Sequence, residues 1–413
     1  MQSNRQRIMP WLVMFAIGLV SAACLGSSMV LMGSFLPAIG QTLHVPISVV
    51  SYYYTVMVLV MAVMMPIVPK VLVKVRNNFL YLTIAVIMPI GLMLIGHVSN
   101  LWIFFIIAFI FGICVSFLSF VPVGILMDNW FVKKTNFAIG LCWAITSIFQ
   151  GIMSPILGSL IPNIGWQHTL NILAIVVAVL SIPFSLFIRF TPKTEGLQPY
   201  GFKNEQEKHQ ESSNREDNIS THEIVTSATF WIVMLLLCIF QFPAVLNQMF
   251  PTYAASVGFN GATGGLMVTA AMIFDIFLNP LIGGTDDKLG AEKGSILWLT
   301  IGLVSYVLLI VATNMKSAGL AIFSAGINDV VYVFLGTGIT ALASAMFGKK
   351  AFAKGFSLVS SISFVVGAFA MPLNNFIAEK FGGFTTVYIF FAILIAITIV
   401  LIGIGSKRHF IKD

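Results

Sequence analysis

The sequence predicts an all-α membrane protein of twelve transmembrane helices arranged as two six-helix bundles. Three observations carry that prediction: an extreme apolar composition, a succession of apolar runs each long enough to cross a bilayer, and a repeat that relates the two halves of the chain. Of the 413 residues, 58% are hydrophobic and only 9% are charged, against roughly 25% charged in an ordinary soluble domain. Mean hydropathy is +0.97. A water-soluble fold cannot bury that much apolar surface and still carry a charged coat. The composition therefore excludes a soluble enzyme, a nucleic-acid binder and a disordered scaffold.

The spans follow in order. A helix needs about 20 mostly apolar residues to cross the hydrocarbon core. In the first half that template fits residues 10–33, 48–69, 78–96, 101–127, 136–160 and 169–190. In the second half it fits 228–250, 262–283, 295–313, 318–342, 357–377 and 385–405. The first run is too long for a secretory leader and lacks a cleavage site, so it is expected to remain as a span. All spans are expected to be helices, because lipid offers no partner for an exposed backbone amide. A barrel would show short alternating segments instead. Cys24, Cys114, Cys142 and Cys238 each lie inside an apolar run with no CxxC neighbour. They read as small buried hydrophobes.

Charge orients the spans. The formal charge is +7, but the basic residues sit in short loops, which marks membrane orientation and not a nucleic-acid-binding face. With the N-terminus in the cytoplasm, 20 of the 22 Lys and Arg fall in cytoplasmic segments, and only Lys316 and Lys380 lie opposite. The flipped topology would invert the positive-inside rule. A multi-pass protein of the cell membrane is expected, with both termini cytoplasmic and no nucleic-acid partner. Residues 191–226 are polar and charged, with Glu205, Glu207, Glu211, Glu216 and Asp217 among Lys, Gln, Asn and Ser. They read as a partly disordered cytoplasmic linker. The expected organisation is a bundle over 1–190, the linker over 191–226 and a second bundle over 227–413.

The bundles repeat one another in sequence. Pro37 is matched by Pro251, Thr55 by Thr269, Pro66 by Pro280 and Lys74 by Lys288, each 214 residues on. Phe131 and Lys133 are matched by Phe347 and Lys349, Pro155 by Pro372, and Gly165 by Gly383 at nearly the same offset. An ordered series at one spacing is the mark of an internal duplication.

A duplicated six-span unit joined by a cytoplasmic linker resembles the major facilitator superfamily, over the whole chain. In such folds the halves are parallel repeats about an axis along the membrane normal. The run from Gly283 to Lys293, with Asp287, Lys288 and Gly290, looks like the family's loop signature GxxxD(R/K)xGxx(R/K). The resemblance implies that Gly283, Asp287 and Lys288 form a gating loop that braces helix ends, with Lys74 in the first-half copy. In that copy Pro69 replaces the glycine and Val73 the acid. Trp130 to Lys134, Ala138-Ile139-Gly140 and Gly165-Trp166 resemble the oxalate/formate antiporter and monocarboxylate transporter branch more closely, as does Asp275 to Gly283. There the branch carries Asp, three residues, Arg, Pro, with the arginine on the substrate carboxylate. Here Asp275 and Pro280 are present and Asn279 holds the arginine position. The resemblance also implies a monomer.

The intramembrane polar residues are the functional candidates. A charge at bilayer depth costs at least ~2.5–3.5 kcal/mol. Two acids lie there, Asp275 in span eight and Asp329 in span ten, and no Lys or Arg does. Desolvation disfavours the charged form of such an acid, so it can take up and release a proton. That suits proton coupling. The alternative is structural, with Asp275 reserved for a hydrogen bond to Asn279 one turn on, or to a backbone amide. Other candidates form helical stripes: Trp143, Ser147, Gln150 and Ser154 in span five, Gln241 and Gln248 with Asn247 in span seven, Tyr52 and Tyr53 beside Ser51 and Thr55 in span two, and Asn328 with Tyr332 in span ten. Such residues also glue helices together; as a set they can converge on one cavity.

The expected function is a secondary active transporter that moves a small organic solute by alternating access, coupled to protons. A proton-driven multidrug or metabolite exporter is the first alternative, and a monocarboxylate or dicarboxylate exchanger, as in the resembled branch, the second. Acids, amides and aromatics without a fixed cation favour a neutral polar or cationic solute. No P-loop, HExxH or GxSxG occurs, so neither ATP, a metal, another cofactor nor enzymatic catalysis is expected.

Overall fold

The computed structural model describes residues 4–97, 100–192, 196–201 and 220–405. Eleven described helices are long and apolar enough to cross a membrane. They are Ile8–Ser34, Ile47–Met64, Asn77–Ile95, Phe137–Ile164, Trp166–Ser185, Ala228–Val257, Gly261–Asp286, Ala291–Met315, Ala318–Gly348, Lys354–Lys380 and Phe384–Gly403. The remaining span, the fourth, is broken into Leu101–Ser116 and Phe120–Trp130, where the apolar pattern predicts one unbroken run over 101–127. The break has a local cause. Pro122 lies in the first turn of the second piece, where its missing N–H costs no intrahelical bond. Ser119 Oγ donates to the Ser116 carbonyl across the gap.

Spans one to six pack on one another, as do spans seven to twelve, giving two six-helix bundles. Many large apolar side chains stay exposed on the outside, among them Trp102, Phe277 and Val400; these face lipid. Because lipid tails are as apolar as leucine, assembly rests on close packing and hydrogen bonds between helices, each worth about 0.6–2 kcal/mol. The first bundle shows this in its tyrosines. Tyr53 stacks on Phe104 with ring centroids 4.9 Å apart and donates to the Ser28 carbonyl at 3.0 Å. Tyr81 donates to the Phe117 carbonyl at 3.2 Å. The second bundle packs Tyr253, Tyr306 and Tyr388 into one cluster.

One end of the molecule, the basic end, carries the N-terminus and most of the basic residues; the other is the far end. The bundles touch along a seam that is tightest at the far end. There a Cβ on Gly158 would collide with the Gly261 carbonyl, and one on Gly33 with the Gln248 carbonyl. Gly265 lies against the backbone of Pro155, and Thr269 Oγ1 donates to the Gly151 carbonyl at 2.6 Å. Spans two and eleven close the opposite side of the seam. The Glu379 carboxylate accepts from the Ser48 N–H at 2.9 Å and from its hydroxyl at 2.5 Å. Asn375 Nδ2 donates to Ser51 Oγ at 2.7 Å, and Thr55 Oγ1 donates to the Ala368 carbonyl at 2.6 Å. Nearer the basic end of spans five and eight, Gly140 and Gly284 have open space where a Cβ would point.

At the basic end, residues 196–201 dock on the first bundle. Tyr200 N–H donates to the Trp130 carbonyl at 2.8 Å, and its own carbonyl accepts from the Val132 N–H at 2.9 Å. Its ring lies 5.5 Å from that of Trp11. The short helix Thr221–Thr226 then packs near the second bundle with Ile224 fully buried. The rest of the expected linker, including Glu205 to Asp217, lies outside the described residues.

Candidate functional site

Spans five, eight and ten meet at mid-depth around Asp275. Helical spacing sets the geometry. Asp275 and Asn279 are four apart on Gly261–Leu289, so they share a face. One Asp275 oxygen accepts from Asn279 Nδ2 at 3.0 Å. The other accepts from Ser147 Oγ at 3.2 Å, across the seam. The same Asn279 amide donates to the Asp275 backbone carbonyl at 3.0 Å, and its Oδ1 accepts from Thr337 Oγ1 at 2.7 Å. Asn279 thus holds the acid on one side and span ten on the other. Asn279 is exposed, and its hydrogen bonds orient the Asp275 carboxylate.

Thr337 sits in a π-helical turn, Phe334–Gly338, which interrupts span ten. Such turns occur often at functional sites. The Leu335-Gly336-Thr337-Gly338 run was the available signal, because paired glycines inside a span loosen the helical ladder.

Asp329 lies one to two turns earlier on the same span. It is 0% exposed. Its Oδ1 accepts from Asn247 Nδ2 at 2.6 Å, and its Oδ2 has no partner. It lies close enough to Asp275 for the two charges to interact. Tyr332 is within electrostatic reach of both acids, yet 41% exposed. The structure therefore brings together Asp275, Asp329, Asn279 and Tyr332, with Ser147, Thr337 and Asn247 as the partners that complete them. Trp143, one turn from Ser147, is half-buried on the same helix face.

The other candidates go elsewhere. Asn328 is buried against span nine, its Nδ2 donating to Ser305 Oγ at 2.8 Å. It neighbours Asp329 in sequence but points about 100° away around the helix. Gln241 donates to Ser363 Oγ at 3.3 Å, tying span seven to span eleven. Gln248 is half-buried and its backbone abuts Gly33 at the far end of the seam. Gln150 packs against Gly26 of span one. Tyr53 is committed to the core of the first bundle, and Tyr52 begins the helix Tyr52–Met64 near the far end, exposed.

At the expected gating loop, Gly290 takes φ 84° and starts the helix Ala291–Met315. Asp286 is buried there, and a Cβ on Gly294 would collide with its carboxylate. An acid beside a helix N-terminus is favourably placed. The side chain of Asp287 lies outside the described residues. Gly283 is half-buried, and Lys288 and Lys74 are exposed at helix ends.

A solute carrier of two bundles, with one mid-span acid, Asp275, at the seam and a second, Asp329, buried beside it in the second bundle, is the class this architecture defines. A family model for the major facilitator superfamily matches residues 17–264 and 244–409, and the chain belongs to that superfamily. It is therefore a membrane transporter of small solutes and not an enzyme. Among solved structures, it is similar to the nucleoside transporter NupG, with a TM-score of 0.70 at 12% identity, covering 97% of this chain and 98% of that one. A point mutant of NupG gives a TM-score of 0.69 at 13% identity, covering 98% of this chain and 100% of that one. A bacterial homolog of the human lysosomal transporter Spinster, in an inward-facing and occupied conformation, gives 0.67 at 12% identity, covering 98% of each chain. At these identities the likeness shows the fold alone. No curated protein sequence matches the chain.

Proposed function

We propose that this protein is a proton-coupled secondary carrier of a small organic solute, in which Asp275 and Asp329 form the coupling pair. One observation carries the reading: Asp275 stands on the seam between the bundles and takes a hydrogen bond from each side, from Ser147 of span five and Asn279 of span eight. A group so placed feels every change in the relative position of the bundles. A coupling pair divides the work, one carboxyl sheltering a proton and the other exchanging it. Asp329, with no exposure and a free Oδ2, shelters it. Asp275, reachable from the seam, exchanges it.

The seam also supports an assignment of state. With the basic end in the cytoplasm, as the positive-inside rule favours, the closed far end is extracellular and the conformation is inward-facing. The gating loop around Gly283, Asp287 and Lys288 then lies on the open side. Placement of Asn279 at the arginine position of the resembled branch argues against a carboxylate exchanger, since an amide already bound to Asp275 and Thr337 has no charge to offer an anion. An exporter of the same fold differs from this reading only in the direction of flux, and the chain acts as a monomer in the cell membrane.

The test is reconstitution in proteoliposomes with an imposed pH gradient. Solute movement is expected to draw protons, and Asp275→Asn is expected to lose the response to the gradient. Solute transport by the wild type that ignores the gradient would refute coupling.

A further inference from the structure

The charge of the site is one-sided. Within the described long spans, the acids and bases lying more than about one turn from a span end are Asp275 and Asp329. The side-chain donors to Asp275 are both neutral, a hydroxyl and an amide. The donor to Asp329 is an amide as well. A second observation points the same way. Asp329 Oδ2 is buried and unpartnered, and Tyr332, within electrostatic reach of both acids, keeps 41% of its surface open. Trp143 shares the helix face of Ser147, whose hydroxyl reaches Asp275.

A carboxylate at membrane depth that is met only by neutral donors lacks a counter-ion. Aromatic faces attract a cation placed within about 6 Å of the ring. An anionic solute would find repulsion and no guanidinium or ammonium. With a neutral solute the carboxylate is compensated only while it holds the coupling proton, whereas a cation supplies the missing charge itself.

We infer that the solute carries one positive charge, as a protonated amine or quaternary ammonium, and that its cationic head docks between Asp275 and the Tyr332 ring. This rests on the carrier reading above and narrows it. A pair of acids that retains one proton carries a single negative charge, which one monovalent cation neutralises. Protonated Asp275 has no charge to offer the solute. Proton and solute therefore compete for one carboxylate, and each leaves as the other arrives: an exchange of one proton for one cation that moves no net charge.

The experiment uses the purified full-length chain and matched probes: choline and benzyltrimethylammonium, the neutral tert-butyl isostere of each, and acetate and benzoate. Binding is read by thermal shift and equilibrium titration at mildly alkaline and mildly acidic pH. A quaternary ammonium is expected to bind at least about tenfold more tightly than its isostere and to weaken on acidification. Tyr332→Leu should weaken it, and Tyr332→Phe, which keeps the ring, should not. Asp275→Asn should abolish the preference for charge; the tyrosine pair keeps the test decisive where that variant fails to fold. The inference is overturned if an isostere or an anion binds as tightly, or if neither cation binds at alkaline pH. Counterflow in proteoliposomes separates the two readings. A neutral or anionic probe driven by the pH gradient sinks the cation and leaves the carrier, while gradient-independent movement of every transported probe sinks proton coupling itself.

Discussion

The two bundles are built from repeated sequence and spend their polar groups differently. In the first, buried hydroxyls and thiols go to backbone carbonyls of the same bundle: Tyr53 to Ser28, Tyr54 to Met29, Tyr81 to Phe117, Ser181 to Ala85, and Cys142 to Met14. In the second, side chains bond to side chains between helices, as in Asn247 to Asp329, Thr337 to Asn279 and Asn328 to Ser305. A hydroxyl on a carbonyl only locks packing. A carboxyl on an amide changes its partner preference with each proton. The repeat supplies one scaffold twice, and the mid-span acids of the described residues lie in the second copy.

That contrast can be broken at several strengths. The largest effect belongs to Asp275→Asn, expected to lower proton-driven solute accumulation by about 100-fold or more, in the range of a lost group whose work is proton transfer. Gradient-driven flux assays check it, and accumulation near the wild-type level would remove Asp275 from the mechanism. Gly265→Leu comes next. A side chain driven into the Pro155 backbone should prop the far end open and slow cycling roughly tenfold, overpacking costing about 1–3 kcal/mol. Cysteine labelling from the two faces of the membrane reports the shift, and unchanged labelling would count against it.

Glu379→Gln is expected to be milder. Glu379 is exposed, so the loss of its charge-assisted bonds to Ser48 is screened to about 1 kcal/mol or less, enough to move the ratio of the two states by up to about fivefold. The same labelling reads it. Asn279→Arg restores the arginine of the resembled branch and should convert weak into measurable carboxylate binding, a gain of about 1–3 kcal/mol where the guanidinium pairs with an anion. Absence of any gain would place the solute away from Asn279. The smallest effect on transport is that of Tyr53→Phe in the first bundle. It should lower stability by ~1 kcal/mol and leave the pH dependence of transport untouched; an altered pH profile would dissolve the contrast between the bundles.

Most of the span map was legible because lipid enforces it. Each span must be long, apolar and helical, and those demands are written residue by residue. Asp275 and Asp329 stood out as candidates for the same reason, since no other acid lies so far from a span end. Partners were not. Asn247 and Asp329 are 82 residues apart, and only the bundle geometry joins them. Asn328 and Tyr332 share a stripe in sequence, yet Asn328 bonds Ser305 while Tyr332 reaches the acids, because Tyr332 is also one turn past Asp329 on the regular helix Ala318–Val333 and neighbours it there. The Ser48–Glu379 link had no signature at all. Glu379 sits at a span end, where a charge is cheap and calls for no explanation.

The glycines at the far end have one more consequence. Where Gly158 meets Gly261, and Gly33 meets Gln248, main chain rests on main chain. Such a joint has few rotamers to freeze, whereas each long side chain immobilised on docking typically forfeits about 0.5–1.5 kcal/mol of disorder. A hinge faced in bare backbone can engage and release many times with little entropic toll, which suits a machine whose work is repetition.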